Sequence, residues 1–218
     1  MPGTDNGRLS GVLAPITPEN CAVDVPEGAG GIEVRADLFE TREESLEIVS
    51  SLAGDFGVLV TPRHSSQGGS WRWSEQERAS YCREAMKRGA VLVDVEHGTE
   101  AAAILQGEGM KVLLSWHDFQ GMISPEDLEG LTAEMESSEP AAIKVVPTAG
   151  KLADAVRMLE WVERRRESGP PRLGFAMGPQ GVPGRILSLS RGAPWTYGAN
   201  GLKVAPGQLP VQDMVELY

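Results

Sequence analysis

AVLVDVE at Ala90–Glu96, KVLLSWH at Lys111–His117 and AAIKVV at Ala141–Val146 are three short runs of consecutive apolar residues. Strict alternation would mark a sheet with one wet face. Runs like these mark parallel strands covered on both faces. Between the second and third lies Ser124–Met135 (SPEDLEGLTAEM), with a capping serine, a proline in the first turn and acids beside it. Those are helix-start signals. A strand, a helix and another strand in this order form the unit of an α/β fold.

The unit repeats in both directions. Upstream are Leu9–Ala14 (LSGVLA), Gly31–Asp37 (GIEVRAD) and Gly57–Arg63 (GVLVTPR), and downstream are Arg172–Met177 (RLGFAM) and Trp195–Ala199 (WTYGA). Helical patterns cover Arg42–Leu52, Ser74–Arg88 and Leu152–Arg166. Ser74 and Glu77 make a capping box, and Gly89 stops that helix. Leu152, Val156, Leu159 and Val162 are spaced as one helix face. Eight strand candidates in 218 residues leave about 27 residues per unit, which predicts a compact α/β (β/α)8 TIM barrel. The barrel is expected to fill residues 1–218 as a single domain, with 1–8 as a flexible leader. A doubly wound sheet is the alternative. Thr17–Gly30 is poor in helix signal, so the first helix is expected to be short or missing.

Composition narrows the function. Apolar residues make up 41% and charged residues 23%, which excludes a disordered chain, a collagen and a disulfide miniprotein. Twenty basic against 31 acidic residues give a net charge of −11, a poor surface for a phosphate backbone. Cys21 and Cys82 form no CxxC motif, and a reducing cytoplasm fits them. No apolar run reaches the roughly 18 residues of a membrane span, and the first residues lack a signal-peptide core.

The barrel's active face is the C-terminal end of its strands. There the sequence places Glu33, Arg35 and Asp37, alternating along one strand. Arg63 and His64 end the next run. Asp94 and Glu96 follow, then His117 with Asp118, then Lys144, then Arg185 in a Gly/Pro-rich loop. The acids and arginines are equally consistent with ion pairs filling a polar interior. A lysine inside AAIKVV is desolvated, which lowers its pKa and suits it to imine formation. The competing reading pairs Lys144 with an acid such as Glu96. His117, one strand earlier, is placed to move a proton near such an imine. His64, His97 and His117 lack zinc-ligand spacing. GxSxG, HExxH and P-loop motifs are absent. Trp71 and Trp73 are candidates for a lid or for surface packing.

Taken together, EVRADLF at Glu33–Phe39, TPR…QGG at Thr61–Gly69, VDVE at Val93–Glu96 and LLSWHDF at Leu113–Phe119 resemble the type I 3-dehydroquinate dehydratases. IKVV at Ile143–Val146, AMGPQGVPGR at Ala176–Arg185 and APGQLPV at Ala205–Val211 extend the resemblance over most of the chain. It implies a (β/α)8 barrel that dehydrates 3-dehydroquinate in the shikimate pathway through a lysine Schiff base. It implies no metal or organic cofactor, a small-molecule substrate and a homodimer. By the same resemblance Lys144 is the Schiff-base lysine and His117 the general acid/base. Glu33, Arg35 and Arg63 hold substrate hydroxyls and stabilise the site, and Arg185 and Gln208 hold the carboxylate. Met177 and Tyr197 fall at apolar wall positions, and Asp94 and Glu96 support the site. Two positions depart from the family: Gln67 stands where it usually has Glu, and Val204 where it usually has Ser. An amide orients an imidazole without supplying charge. Losing the hydroxyl removes about 1 kcal/mol of substrate hydrogen bonding. The departures keep a weakened or non-catalytic ligand-binding barrel open as an alternative. A class I aldolase-like Schiff-base barrel is another.

Overall fold

The computed structural model describes residues 8–22, 25–164, 169–201 and 205–218. Eight parallel strands form a nearly closed barrel, and helices alternate with them around most of its circumference. The strands are β1 (Gly11–Ile16), β2 (Gly31–Val34), β3 (Val58–Val60), β4 (Leu92–Glu96), β5 (Val112–His117), β6 (Ala142–Val146), β7 (Arg172–Gly174) and β8 (Trp195–Tyr197). Neighbours in sequence are neighbours in the sheet, and β8 returns to pair with β1. Among the described residues no ladder joins β7 to β8. The rings of Phe175 and Tyr197 meet across this seam edge-on, with centroids 5.9 Å apart.

The unbroken apolar runs are explained by two cores. Val12, Ile32, Val60, Val93, Leu114 and Ile143 pack outward under the helices. Leu13, Leu59, Leu92, Leu113, Ala142, Leu173 and Trp195 fill the inside. A period of two sends alternate residues of each strand to these two cores. Leu9 joins the inner cluster and seals its lower end. Two residues further along β4, β5 and β6 the inward positions change to Asp94, Ser115 and Lys144. The barrel therefore has an apolar floor and a polar upper layer.

The helices are α1 (Arg42–Leu52), α2 (Glu75–Lys87), α3 (Glu100–Gly107), α4 (Pro125–Glu136), α5 (Leu152–Arg164), α6 (Val182–Leu187) and α7 (Val211–Val215). Ser74 caps α2 in the expected box with Glu77, and Ser124 caps α4. Between β1 and β2 no helix forms among the described residues. Asn20 organises that connection instead, accepting from the Thr17 N–H and donating to the carbonyls of Pro15 and Asn200. The last bond ties the first loop to the end of the barrel.

Four expectations are corrected. Arg35 and Asp37 are not strand residues, because β2 ends at Val34, Arg35 caps the turn that follows, and Ala36–Leu38 is a 3-10 turn. Arg185 sits on α6 rather than in a loop. On α5 the buried face is Ala155, Met158, Trp161 and Val162, together with Leu159. Leu152 and Val156 are 54% and 47% exposed. Trp71 is neither lid nor surface, because it is buried against Trp73 and Tyr81 in the outer core. The leader residues 1–7, part of the predicted Leu152–Arg166 helix and Val204 lie outside the described residues.

Candidate active site

A cavity opens over the C-terminal strand ends. Glu33, Arg35, Arg63, Gln67, His117, Lys144, Met177, Arg185, Tyr197 and Gln208 all line it, with Phe119, Val146 and Phe175. Ten of the residues singled out in the sequence thus meet at one place. Asp94 and Glu96 lie beneath it, fully buried.

Lys144 is 4% exposed and forms its ion pair with Asp94, not with Glu96. Burial lowers its pKa, and Arg63 lowers it further, while Asp94 opposes both. Asp94 keeps its charge, because Arg63 and Lys144 together outweigh the cost of burying it. Of this pair Lys144 surrenders its charge more readily, which is the property an imine-forming amine needs. Its ammonium stands 4.9 Å over the ring of Tyr197. The Tyr197 hydroxyl accepts from the Trp195 indole N–H at 3.0 Å, so the ring forms a wall beside the lysine.

Glu96 is taken by arginines. Arg63 donates to it at 2.7 Å, and Arg78 reaches it from α2. Arg63 also donates to Asp94 at 2.8 Å and to the Ser115 hydroxyl at 2.6 Å, and Ser115 in turn donates to Asp94. Ser115 and Arg78 were not singled out in the sequence. Arg78 lies on the same α2 face as Ala79, Cys82 and Ala85, an apolar-face position at which a charge implies a buried partner. Arg35 forks onto Asp37 through two 3.0 Å bonds, and Asp37 also accepts from the Ser70 N–H. Thr61 donates to Glu33 at 2.8 Å.

His117 ends β5, two residues beyond Ser115, which is in register with Lys144. The imidazole therefore sits one inward layer above the amine. Burial lowers its pKa well below the ordinary value, and Arg63 and Lys144 add to the effect. Gln67 reaches it from a 3-10 turn at Ser65–Gln67. The two glycines that follow are required by geometry. Gly68 has φ of 78° and packs against the Phe119 ring, where a Cβ would stand 2.4 Å from the nearest ring atom. At Gly69 a Cβ would stand 2.0 Å from the Arg63 carbonyl oxygen.

Arg185 is 2% exposed. Its Nε and Nη2 have no hydrogen-bond partner, and it makes no ion pair among the described residues. Equally buried Arg78 and Arg172 each have a carboxylate partner. Burial lowers the Arg185 pKa to about 10. Its guanidinium packs 4.3 Å over Phe175, which is partial compensation. An unpaired buried charge costs several kcal/mol, so a stabilising role does not explain this residue. An anion entering the cavity would meet a guanidinium fork suited to a carboxylate.

A (β/α)8 barrel with charged chemistry gathered at its C-terminal strand ends is an enzyme-type barrel. The Type I 3-dehydroquinase family profile matches residues 19–218. A 3-dehydroquinate dehydratase from Thermococcus gammatolerans is 34% identical over 214 residues, covering 96% of each chain. The bifunctional 3-dehydroquinate dehydratase/shikimate dehydrogenase of Arabidopsis thaliana is 31% identical, over 95% of this chain and 36% of its own. The crystal structure of 3-dehydroquinate dehydratase from Geobacillus kaustophilus superposes with a TM-score of 0.81 at 25% identity, covering 95% of this chain and 89% of that one. The chain belongs to the type I 3-dehydroquinase family.

Proposed function

We propose that the chain dehydrates 3-dehydroquinate to 3-dehydroshikimate through an imine on Lys144. The carrying observation is the cavity itself: a desolvated amine, a neutral imidazole one layer above it, and a buried guanidinium without a counter-ion. Arg185 binds the substrate carboxylate with Gln208 beside it, which fixes orientation. Glu33 and Arg35 face the substrate hydroxyls. Arg63, held by Asp94, Glu96 and Ser115, serves chiefly to set the charge beneath Lys144.

The neutral Lys144 amine attacks the C3 ketone, and loss of water gives an iminium. The iminium draws electrons from the C2–H bond. His117 takes the proton, leaving an enamine. The enamine pushes out the C1 hydroxyl, which leaves as water with the proton from His117. Water then hydrolyses the imine and restores Lys144. Met177 and Tyr197 wall this path.

Borohydride added with substrate is expected to fix a covalent adduct on Lys144, read as a gain in intact mass. An unchanged mass would overturn the mechanism. Enone absorbance separates this reaction from an aldolase-type cleavage, which gives no such product, and from a barrel that only binds ligand. The acid–arginine pair of Glu33 on β2 and Arg35 just beyond it, together with the placement of Gln208 in the same cavity, favours dehydration.

The homodimer implied by the resemblance is proposed as the association state. Exposed Leu152 and Val156 on α5 offer an apolar face that supports it. A cytoplasmic location is proposed from two unpaired cysteines, one exposed and one buried.

A further inference from the structure

The Gln67 side-chain oxygen lies 2.9 Å from the His117 backbone nitrogen and 3.0 Å from His117 Nδ1. These two contacts together settle two questions. A carboxamide can present either its oxygen or its NH2 group, and an imidazole can carry its proton on either nitrogen. The backbone N–H is a donor and nothing else, so the group facing it is the amide oxygen. The same oxygen faces Nδ1, so Nδ1 must also be a donor. The ring therefore carries its proton on Nδ1, and Nε2 holds the lone pair.

We propose that Gln67 is a positioning residue that fixes His117 as the Nδ1–H tautomer with Nε2 as its only basic atom, while lending it no negative charge. The proposal rests on His117 being the proton carrier of the reaction above. Its consequence is specific. A carboxylate at this place would stabilise the imidazolium; an amide orients the ring equally well and leaves the cation unsupported. Burial is what most disfavours the imidazolium, and the charges that act on it are Arg63 beyond β3, Lys144 on β6, Asp94 on β4 and Arg35 beyond β2, with Glu33 and Arg185 lining the same cavity. Arg63, Lys144 and Arg35 are cationic, and Asp94 is already shared by Arg63 and Lys144. The imidazole is thus kept neutral as the medium acidifies, and once protonated it is a strong donor to the departing hydroxyl.

The test uses the full chain. Nitrogen-15 NMR of the substrate-free protein, with His117 assigned by the loss of its signals in His117→Asn, is expected to show the neutral Nδ1–H tautomer at neutral pH and to keep it as the pH falls below the ordinary histidine range. An Nε2–H ring, or an imidazolium at neutral pH, would overturn the proposal. The isosteric Gln67→Glu keeps the contacts and adds charge. It is expected to move the acid limb of the kcat profile about one to two units toward higher pH. A limb that stays in place would also overturn it. Gln67→Leu is expected to lower kcat about tenfold or more with KM nearly unchanged. The tautomer is read without turnover. Wild-type protein lacking activity but showing Nδ1–H would refute the dehydratase reading alone. Active protein showing Nε2–H would refute the Gln67 assignment alone.

Discussion

Arg185 is the residue at which stability and function diverge most. Its charge is disfavoured by burial in the folded chain and free in the unfolded one, so the guanidinium costs the fold free energy at neutral pH. Arg185→Met is expected to raise unfolding stability by about 1 kcal/mol. The same change is expected to raise KM at least about tenfold, through loss of a bidentate carboxylate contact. Denaturant unfolding and steady-state kinetics on one preparation check both. Lys144 and His117 were legible in the sequence because a lysine inside AAIKVV and a histidine at a strand end are chemically conspicuous. The partner of Lys144 was not legible. Asp94 and Glu96 lie two apart on one strand and face the same way. Which acid meets the lysine depends on the register between β4, β5 and β6. Arg78 was missed for another reason: a single arginine on a helix reads as surface until the whole buried face is laid out.

Among the elements, most of the eight strands were legible because two-sided burial leaves runs of consecutive apolar residues. Three helices were not. Glu100–Gly107 has its alanines and leucine in one block, with no polar interruption to show a period. Val182–Leu187 and Val211–Val215 are too short to repeat a period. The Ser65–Gln67 turn and Gly68 depend on contacts with His117 at the end of β5 and Phe119 just beyond it, which no local pattern reveals. Gly68→Ala places a Cβ against Phe119 in a left-handed backbone, which L side chains adopt at a cost of about 1–2 kcal/mol. The turn is expected to shift and to carry Gln67 off His117. The predicted outcome is a fall in kcat of about tenfold or more with the helical circular dichroism retained. Unchanged turnover would mean that the turn does not position Gln67.

For the whole molecule, acid sensitivity follows from the burial of His117, reinforced by the cations around it. In the unfolded chain this imidazole takes a proton near pH 6.5, and in the fold it resists protonation until a lower pH. Unfolded chains therefore bind more protons in that interval, and stability falls as pH drops below about 6.5, by up to about 1.4 kcal/mol per pH unit from this group. Asp94 acts lower down: its depressed pKa preserves stability until pH falls below the ordinary carboxylate range. His117→Asn is expected to flatten the upper part of the stability curve and leave the lower part unchanged, as measured by urea midpoints against pH. Association is tested separately. Leu152→Glu with Val156→Glu is expected to give a monomer by sedimentation while changing monomer stability by no more than about 0.5 kcal/mol.

The seam beside β7 bears on how the chain could be rewired. With β8 paired to β1 and, among the described residues, no ladder between β7 and β8, a strand order beginning at β8 would run through the barrel in chain order to β7. A circular permutant opened at exposed Gly192, with Tyr218 joined through residues 1–7 to Arg8, would place its new ends at this seam and cut no ladder. Its cooperative thermal transition is expected to survive. A permutant opened between β4 and β5 would instead put the paired strands that carry Asp94 and Ser115 at opposite ends of the chain, and is expected to lose the barrel.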